Sequence, residues 1–190
     1  LIVNPYYPYC VRKYARGGKL LKEWGAYGQG EGEFLDPQGI AVDRKNKLVY
    51  ITDVQYPRIL GEAAKYDIQK FTLDGKFVER WEGKETVGFG PFVLSMKPKI
   101  YFPEVIAVDN EGNVCVIETG ASRVSKFDTK GKLVLQFGGY GSREGEFRFP
   151  YKKSGAGIVV DAEDNIYISD MGNDRIQKFD KNGKFLMEIK

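Results

Sequence analysis

Histidine is absent from this 190-residue sequence. Because histidine is the usual general base near neutral pH and the commonest metal ligand, its absence rules out Ser-His and Cys-His couples and histidine metal sites. Cysteine occurs only at Cys10 and Cys115, in non-equivalent positions of the pattern described below, so neither a disulfide framework nor a cysteine metal cluster is predicted. Apolar runs of about 18 residues are also missing, and no membrane span is predicted.

An excess of charge of one sign is lacking too, since 29 Lys and Arg residues are matched by 26 Asp and Glu residues. The resulting net charge of +3 gives little support for a polyanionic partner. A charged fraction of 29%, together with few Asn and Gln residues, is typical of thermophilic proteins. The low cysteine count fits several compartments, and among them we favour a secreted or cell-surface location slightly over the cytoplasm.

The sequence does contain one pattern in four copies. Its most constant element is a lysine followed by an aromatic residue, repeated at intervals of 57, 56 and 52 residues. The four pairs are Lys13-Tyr14, Lys70-Phe71, Lys126-Phe127 and Lys178-Phe179. The last copy is the clearest and has four apolar runs, at 157–161, 166–170, 175–179 and 184–189, whereas the first copy has only the last three of them.

These runs have the length and composition of β-strands. In each copy a dipeptide ending in glycine, such as Asn182-Gly183, joins the last two runs and supplies the positive φ angle of a tight hairpin. Each copy is therefore predicted to be a four-stranded antiparallel meander, with strands a to d. Units of this kind and period are typical of β-propeller blades, and the register match across every strand favours them over an open β-sandwich. Strand a is the most uniformly apolar, so we expect it to be the most buried.

The prediction is a single all-β domain, with a partial blade and link at 1–36 and blades at 37–102, 103–156 and 157–190. We expect three full blades and most of a fourth to belong to a six-bladed or longer array. Open blade flanks are sticky in water, so further residues or neighbouring chains should complete the array, the latter giving an oligomer or a fibre. The predicted core positions are Ile40, Val42, Ile51, Phe71, Ile106, Val108, Val116, Phe127, Ile158, Val160, Ile168 and Phe179.

Several segments resemble the NHL repeat. They are 36–43 (DPQGIAVD), 165–170 (NIYISD), 174–179 (DRIQKF) and the linking 30–34 (GEGEF). The resemblance covers nearly the whole chain and implies a six-bladed β-propeller, but it does not select a function, because such propellers host different activities. It implies protein binding, RNA binding, ligand sensing or, in some members, lyase or lactonase activity. Zinc-dependent amidating lyases look similar in repeat sequence, but none of their histidine ligands carries over here.

Length variation is concentrated in the b–c loops and the d–a links, which share one face of a meander blade. Loops that vary on a fixed scaffold usually carry function, and exposed Tyr with Arg is typical of recognition surfaces. We therefore predict a partner-binding face here. Its residues are Tyr6, Tyr7, Tyr9, Tyr56, Arg58, Phe89, Tyr101, Tyr140 and Tyr151. The alternative for each ring is that it covers the top of its blade.

Acidic residues end strand b in successive copies, at Asp53, Glu118 and Asp170. Carboxylates from several blades can converge on a propeller axis, so these three are candidate ligands for Ca²⁺, and no other cofactor is predicted. The alternative is that each accepts hydrogen bonds from its own turn or pairs with an arginine, as Asp170 could with Arg175 and Glu118 with Arg123.

The opposite face carries a lysine directly after the glycine of each c–d turn. These residues are Lys19, Lys76, Lys132 and Lys184. They could contact phosphates, although solvated turn lysines are common and phosphate contacts alone would not select a sequence.

Together these features favour a non-catalytic module for protein–protein interaction or structural assembly, which binds a protein partner or itself through the Tyr-rich face. One alternative is a Ca²⁺-dependent propeller enzyme of the lactonase or lyase type. The other is an RNA-binding NHL module, a nucleic acid being the less favoured partner. Micromolar or tighter calcium binding would favour the enzyme.

Overall fold

The computed structural model describes residues 2–3, 9–55, 65–84, 102–149 and 155–190. Regular structure in these residues is β-strand, apart from two single turns of 3₁₀ helix at Thr119–Ala121 and Met171–Asn173. No helix in this part of the chain is long and apolar enough to cross a membrane. All strands except one short parallel pair form four antiparallel sheets, each built from strands consecutive in sequence, which confirms the predicted all-β meanders.

Each sheet corresponds to one sequence copy, and we call the sheets blades 1 to 4. Blade 1 has three strands, β1 (Ile2–Val3), β2 (Val11–Tyr14) and β3 (Leu20–Trp24). A short parallel pair follows it, β4 (Ala26–Tyr27) and β5 (Glu33–Phe34). Blade 2 contains β6 (Pro37–Asp43), β7 (Leu48–Gln55), β8 (Lys65–Thr72) and β9 (Phe77–Lys84). Blade 3 contains β10 (Pro103–Val108), β11 (Val114–Glu118), β12 (Arg123–Phe127) and β13 (Leu133–Gly138). Blade 4 contains β14 (Gly157–Val160), β15 (Ile166–Asp170), β16 (Arg175–Phe179) and β17 (Phe185–Ile189).

Every c–d hairpin contains the same bulge in strand d. The pairing register shifts next to the strand-c lysine, so that one strand-d residue is left over between two paired ones. This extra residue is apolar and exposed in all four blades, and it is Leu21, Val78, Val134 or Leu186. The bulge shifts the strand-d register by one residue between the partner of the lysine and the partner of the aromatic residue after it.

The apolar core lies between the blades. One cluster joins blades 1 and 2 and includes Val11, Phe34 and Phe71, and similar clusters join blades 2 and 3 and blades 3 and 4. The a strands of consecutive blades also touch, since β6 contacts β10 and β10 contacts β14. Because the buried surfaces are shared, each blade depends on its neighbours for stability.

A lysine joins each blade to the next. The ammonium group of the strand-c lysine donates to a backbone carbonyl in the following c–d turn, always at the same turn position. The three bonds run from Lys13 to Leu73 (2.9 Å), from Lys70 to Thr129 (2.8 Å) and from Lys126 to Lys181 (3.4 Å). The blade pairs are thus fixed in one repeated orientation.

An aromatic ring completes this interblade joint. The strand-d ring of one blade lies on the turn glycine of the next, and a Cβ built on that glycine would lie 2.5–2.7 Å from the ring. The pairs are Trp24 with Gly75, Trp81 with Gly131, and Phe137 with Gly183. Each ring also lies 4.9–6.3 Å, between centroids, from the strand-c phenylalanine of the next blade. The joint therefore requires a residue without a side chain in the turn.

Strand b, and not strand a, is the most buried. All five residues of β11 are buried, whereas only Ile158 is buried in β14. The prediction for strand a is wrong because strand a is the edge of its sheet, while strand b has a neighbour on each side. Val42, at 36% exposed, is likewise not a core residue. The other predicted core positions are buried or, at Ile40, Val108 and Val160, partly buried against a cluster.

Substituting Gly131→Ala should destabilise the fold more than Gly145→Ala. Both glycines have positive φ, 72° and 78°, so both variants carry the same backbone strain. Only the Gly131 methyl would meet a ring, Trp81, whereas nothing lies within 4 Å of a Cβ at Gly145. Urea unfolding should give an additional loss of about 1–3 kcal/mol for Gly131→Ala, the usual range for overpacking. Equal losses would show that the ring contact contributes nothing.

Candidate protein-interaction face

Two d–a links contain the same hydrogen-bonded turn. Between blades 1 and 2 the Glu33 carboxylate accepts a hydrogen bond from the N–H of Gly30 (2.8 Å), and between blades 3 and 4 Glu146 accepts one from Arg143 (3.0 Å). The backbone closes the same turn in both links. A fully buried ring follows each glutamate, Phe34 in one link and Phe147 in the other. Each link is therefore a rigid turn inserted between two blades.

The acidic residue that ends strand b holds the link just beyond this ring. Asp53 accepts hydrogen bonds from the backbone N–H groups of Leu35 (3.1 Å) and Asp36 (2.7 Å). Asp170 accepts one from the N–H of Arg148 (2.8 Å), which follows Phe147. Both carboxylates are fully buried, and buried charges need such donors.

A strand-c glutamine holds the link from the other side. Gln69 accepts a hydrogen bond from the N–H of Gly32 (3.0 Å) and donates one to the carbonyl of Glu33 (2.7 Å). Gln177 makes the equivalent bonds with Gly145 and Glu146, each at 2.8 Å. These side chains provide hydrogen-bond partners for link backbone groups that are partly buried.

An arginine side chain also holds each link, but this arginine lies on strand d in blade 2 and on strand c in blade 4. In blade 2 Arg80 of strand d pairs with Asp67 of strand c (3.2 Å) and donates to two carbonyls of the preceding link. In blade 4 Arg175 of strand c pairs with Glu188 of strand d (3.1 Å) and again donates to two carbonyls of the preceding link. The arginine is on strand d and the acid on strand c in blade 2, and the reverse holds in blade 4. In both blades the arginine still binds the link.

Blade 3 departs from this pattern. Ser125 stands where blades 2 and 4 have glutamine, and its hydroxyl donates to Glu118. Glu118 also accepts a hydrogen bond from Arg123 (2.8 Å). The link before this blade lies mostly at 85–101, outside the described residues. Glu118 thus pairs with the arginine proposed as its alternative partner.

The three predicted calcium ligands are therefore held by local partners. Asp53 and Asp170 bind link backbone, Asp170 also pairs with Arg175 (2.9 Å), and Glu118 pairs within its own blade. Within the described ranges, no three Asp, Glu or Cys side chains are placed to hold a metal ion. The arginine pairs support the structural alternative for Glu118 and Asp170, whereas Asp53 binds the backbone of the d–a link, which the alternative did not include, and the calcium site stays a prediction.

Two tyrosines occupy the same position in the link between blades 1 and 2 and in the link between blades 3 and 4. Tyr27 pairs with Phe34 and Tyr140 with Phe147 in short parallel bridges. Tyr140 is 71% exposed, and Tyr27 is 41% exposed. The guanidinium of Arg148 lies 5.7 Å from the centre of the Tyr140 ring, within the range of a cation–π contact. Both rings are presented to solvent by a turn whose backbone is fixed.

The other predicted face residues have mixed outcomes. Tyr9 is partly buried, packs against the cluster between blades 1 and 2, and lies 4.9 Å from the Tyr27 ring, so it covers the blade as the alternative proposed. Tyr6, Tyr7, Tyr56, Arg58, Phe89, Tyr101 and Tyr151 lie outside the described residues. Tyr27 and Arg148 are not among the contact residues predicted from the sequence, although alignment of the two GEF-containing links, 24–35 and 137–148, shows the repeated tyrosine.

The cysteines offer no reactive thiolate. Both are free and buried, and burial raises the pKa of Cys115 to about 12. Burial also raises the pKa of Cys10, with a further contribution from the charge of Glu23. Because the thiolate is the nucleophilic form, neither side chain is reactive near neutral pH.

The sequence and the structure were compared with those of known proteins. No family model matches the chain. The Drosophila melanogaster protein brain tumor is 28% identical in an alignment that covers 61% of this chain and 14% of that protein. A virginiamycin B lyase from Staphylococcus aureus, itself a β-propeller, superimposes with a TM-score of 0.52 at 15% identity, over 95% of this chain and 48% of the lyase. A structural genomics protein from Bacteroides thetaiotaomicron gives 0.61 at 15% identity, over 98% and 43%.

The chain has a β-propeller fold. The structural likeness shows this fold and no more, because both identities are low. The chain spans less than half of either solved structure and about one seventh of the brain tumor protein.

Two further carboxylates were missed in the sequence, Asp36, which interacts with Asp53, and Glu104, which interacts with Asp36. Burial raises the pKa of Asp36, and the charge of Asp53 raises it further. Burial is also the largest cause of the raised pKa of Glu104, where a hydrogen bond from Thr119 opposes it and the charge of Asp36 adds to it. These acids are thus less stable in their ionised form than they would be in water.

Substituting Glu104→Gln should therefore raise the melting temperature at pH 7. A carboxyl whose pKa is higher in the folded state binds protons more tightly there, so its ionisation destabilises the fold as pH rises through that range. The difference should vanish below about pH 4, where both states are protonated. Asp128→Asn is the control of opposite sign, because backbone hydrogen bonds from Lys132 and Lys130 lower the pKa of Asp128. A lower melting temperature for Glu104→Gln at pH 7 would contradict this assignment.

Proposed function

We propose that this chain is part of an NHL-type propeller and serves as a non-catalytic protein-binding module. The partner contacts the face that carries Tyr27 and Tyr140. The observation that supports this most directly is that the same position holds an exposed tyrosine in two links. The backbone of both links is held by side chains of the adjacent blades. A residue needed only to build the link would be covered by it, as Phe34 and Phe147 are.

The physical advantage of this arrangement is preorganisation. Carboxylate, glutamine and guanidinium side chains already fix the link backbone, so a partner does not have to order it on binding. Tyrosine adds a large contact area with only two side-chain torsions, and tyrosine and arginine are enriched among the residues that dominate binding energy. Arg148 beside Tyr140 provides such a pair.

The chemistry of the chain favours binding over catalysis. The sequence has no histidine, and both thiols are buried with raised pKa. The carboxylates that end strand b are engaged by the links or by arginine. The likeness to the brain tumor protein supports the NHL assignment, together with the DPQGIAVD, NIYISD and GEGEF segments.

The test is a double variant, Tyr27→Ala with Tyr140→Ala, used as bait in lysate of the source cells beside the wild-type chain. Each lost ring should cost about 1–2 kcal/mol, so captured partners should decrease by roughly tenfold or more while circular dichroism stays unchanged. The matched control is Lys76→Ala with Lys132→Ala, two exposed residues on the opposite face. A photoreactive phenylalanine analogue at position 140, compared with one at position 132, identifies what is bound.

The outcomes separate the hypotheses. Protein cross-links from position 140 that are lost in the tyrosine variant support the proposal. Equal loss in the lysine variant would place the working face on the c–d turns. Cross-links to RNA in place of protein would support the RNA-binding alternative. Micromolar calcium binding by calorimetry, abolished by Asp53→Asn, would support the calcium-dependent enzyme.

A further inference from the structure

Side chains close the a–b turns of blades 3 and 4 onto each other. The side-chain amide of Asn110 in blade 3 donates to the carbonyls of Asp161 (3.2 Å) and Ala162 (3.0 Å) in blade 4. The backbone N–H of Asn110 donates to the carboxylate of Asp164 (2.8 Å). One nitrogen donor and one carboxylate therefore fill the space between these two turns.

The a–b turns of blades 2 and 3 lack both of these groups. Arg44 directly follows the first aspartate of its turn, as Asn110 does, so it stands at the Asn110 position. Gly112 stands at the Asp164 position, since both residues close their own turns with the same backbone hydrogen bond. Among the described residues, the backbone N–H of Arg44 has no acceptor. The chain thus supplies neither the nitrogen donor nor the carboxylate here.

A cavity of about 280 Å³ lies between the turns of blades 2 and 3. Arg44 and Lys45 line it and are exposed, and within the part of the chain that the structure describes neither forms an ion pair. A carboxylate in this cavity would meet the free N–H of Arg44 and two cationic side chains. Charge-assisted hydrogen bonds of this kind are the strong ones.

The buried Asp43 carboxylate lines the same cavity and supplies the opposite charge. In blade 3 the equivalent Asp109 pairs with Lys126 (2.7 Å). In blade 2 Lys70 pairs instead with Glu79 (2.8 Å), and Asp43 accepts hydrogen bonds within its own turn but pairs with no described cation. A buried carboxylate without a cation favours an ammonium group as its neighbour.

We propose that this cavity binds a free α-amino acid in its zwitterionic form. The ammonium group of the ligand lies beside Asp43 and donates to the carbonyls of Asp109 and Asn110, which correspond to the two acceptors between blades 3 and 4. The carboxylate accepts a hydrogen bond from the N–H of Arg44 and pairs with the Arg44 and Lys45 side chains. The ligand thus supplies the two groups that the chain itself supplies between the next pair of blades.

The remaining walls indicate which amino acid fits. Val42 and Val108 line the cavity, so a small apolar side chain such as that of valine is favoured. The site lies on the face of the a–b and c–d turns, where the N–H of Leu73 in the c–d turn donates to the carbonyl of Lys47 in the a–b turn (3.1 Å). This face is opposite to the one proposed to bind a protein partner.

Isothermal titration calorimetry with L-valine on the 190-residue polypeptide tests this site. Valine should bind with a Kd of about 1 mM or tighter. Isobutylamine is valine without its carboxylate, and isovalerate is valine without its ammonium group. Each should bind weaker by roughly tenfold or more, because each leaves one half of the site without its partner. In an NMR titration the amide proton of Arg44 should shift downfield as it gains an acceptor.

Two variants at exposed positions locate the binding. Arg44→Asn introduces the residue that blade 3 has at this position, and its amide should donate to the two carbonyls in place of the ligand, so valine affinity should fall by roughly tenfold or more. Lys45→Gln removes one cation and should lower the affinity by about two- to fivefold. Lys132→Asn is the matched control, because it removes one exposed cation from the same face outside the cavity. Circular dichroism should confirm that all three variants fold.

Three results would overturn the proposal. The first is the absence of saturable valine binding up to about 10 mM. The second is equal affinity for isobutylamine or isovalerate, which would show that one charge alone is recognised. The third is an affinity that Arg44→Asn leaves unchanged or that Lys132→Asn lowers as much. None of these results bears on Tyr27 and Tyr140, so this site can fail while the proposed protein-binding face stands.

Discussion

The structure depends on one repeated contact, an aromatic ring lying on a turn that has no side chain. The turn glycine closes the c–d hairpin with a positive φ angle, and the same missing side chain leaves room for the ring of the neighbouring blade. The lysine beside the ring adds a directional bond to that turn. A local requirement of the hairpin and a long-range requirement of blade packing are met by a single residue type.

The rigid joints also determine what the loop-rich face can present. A buried phenylalanine anchors each of the two described links between its blades. Side chains from strands b, c and d form hydrogen bonds with the link backbone. Asp53 and Asp170, first considered as metal ligands, take part in this support. Tyr27 and Tyr140 share one place in this framework and are exposed, whereas the side chains that support the framework are buried or partly buried.

The sequence period was sufficient to predict the meanders, because strand length, turn glycines and the Lys-aromatic pair recur in every copy. The burial of strand a could not be predicted from its apolar residues, since burial depends on which strand lies at the edge of the sheet. Composition alone indicated a tyrosine-rich face but did not separate Tyr9, which packs on a cluster, from Tyr140, which does not. The roles of Asp53 and Asp170 depend on backbone N–H groups, which have no signature in the sequence.

The exchange of charges between blades 2 and 4 limits how far the blades are interchangeable. Asp67 with Arg80 and Arg175 with Glu188 are the same pair in opposite orientation, and both deliver a guanidinium to the link. A chimera that combined strand c of blade 2 with strand d of blade 4 would oppose two acids and leave the link without its arginine. Strands c and d therefore have to be exchanged together. A hybrid or consensus blade keeps the arginine contact to its link only when both strands come from the same blade.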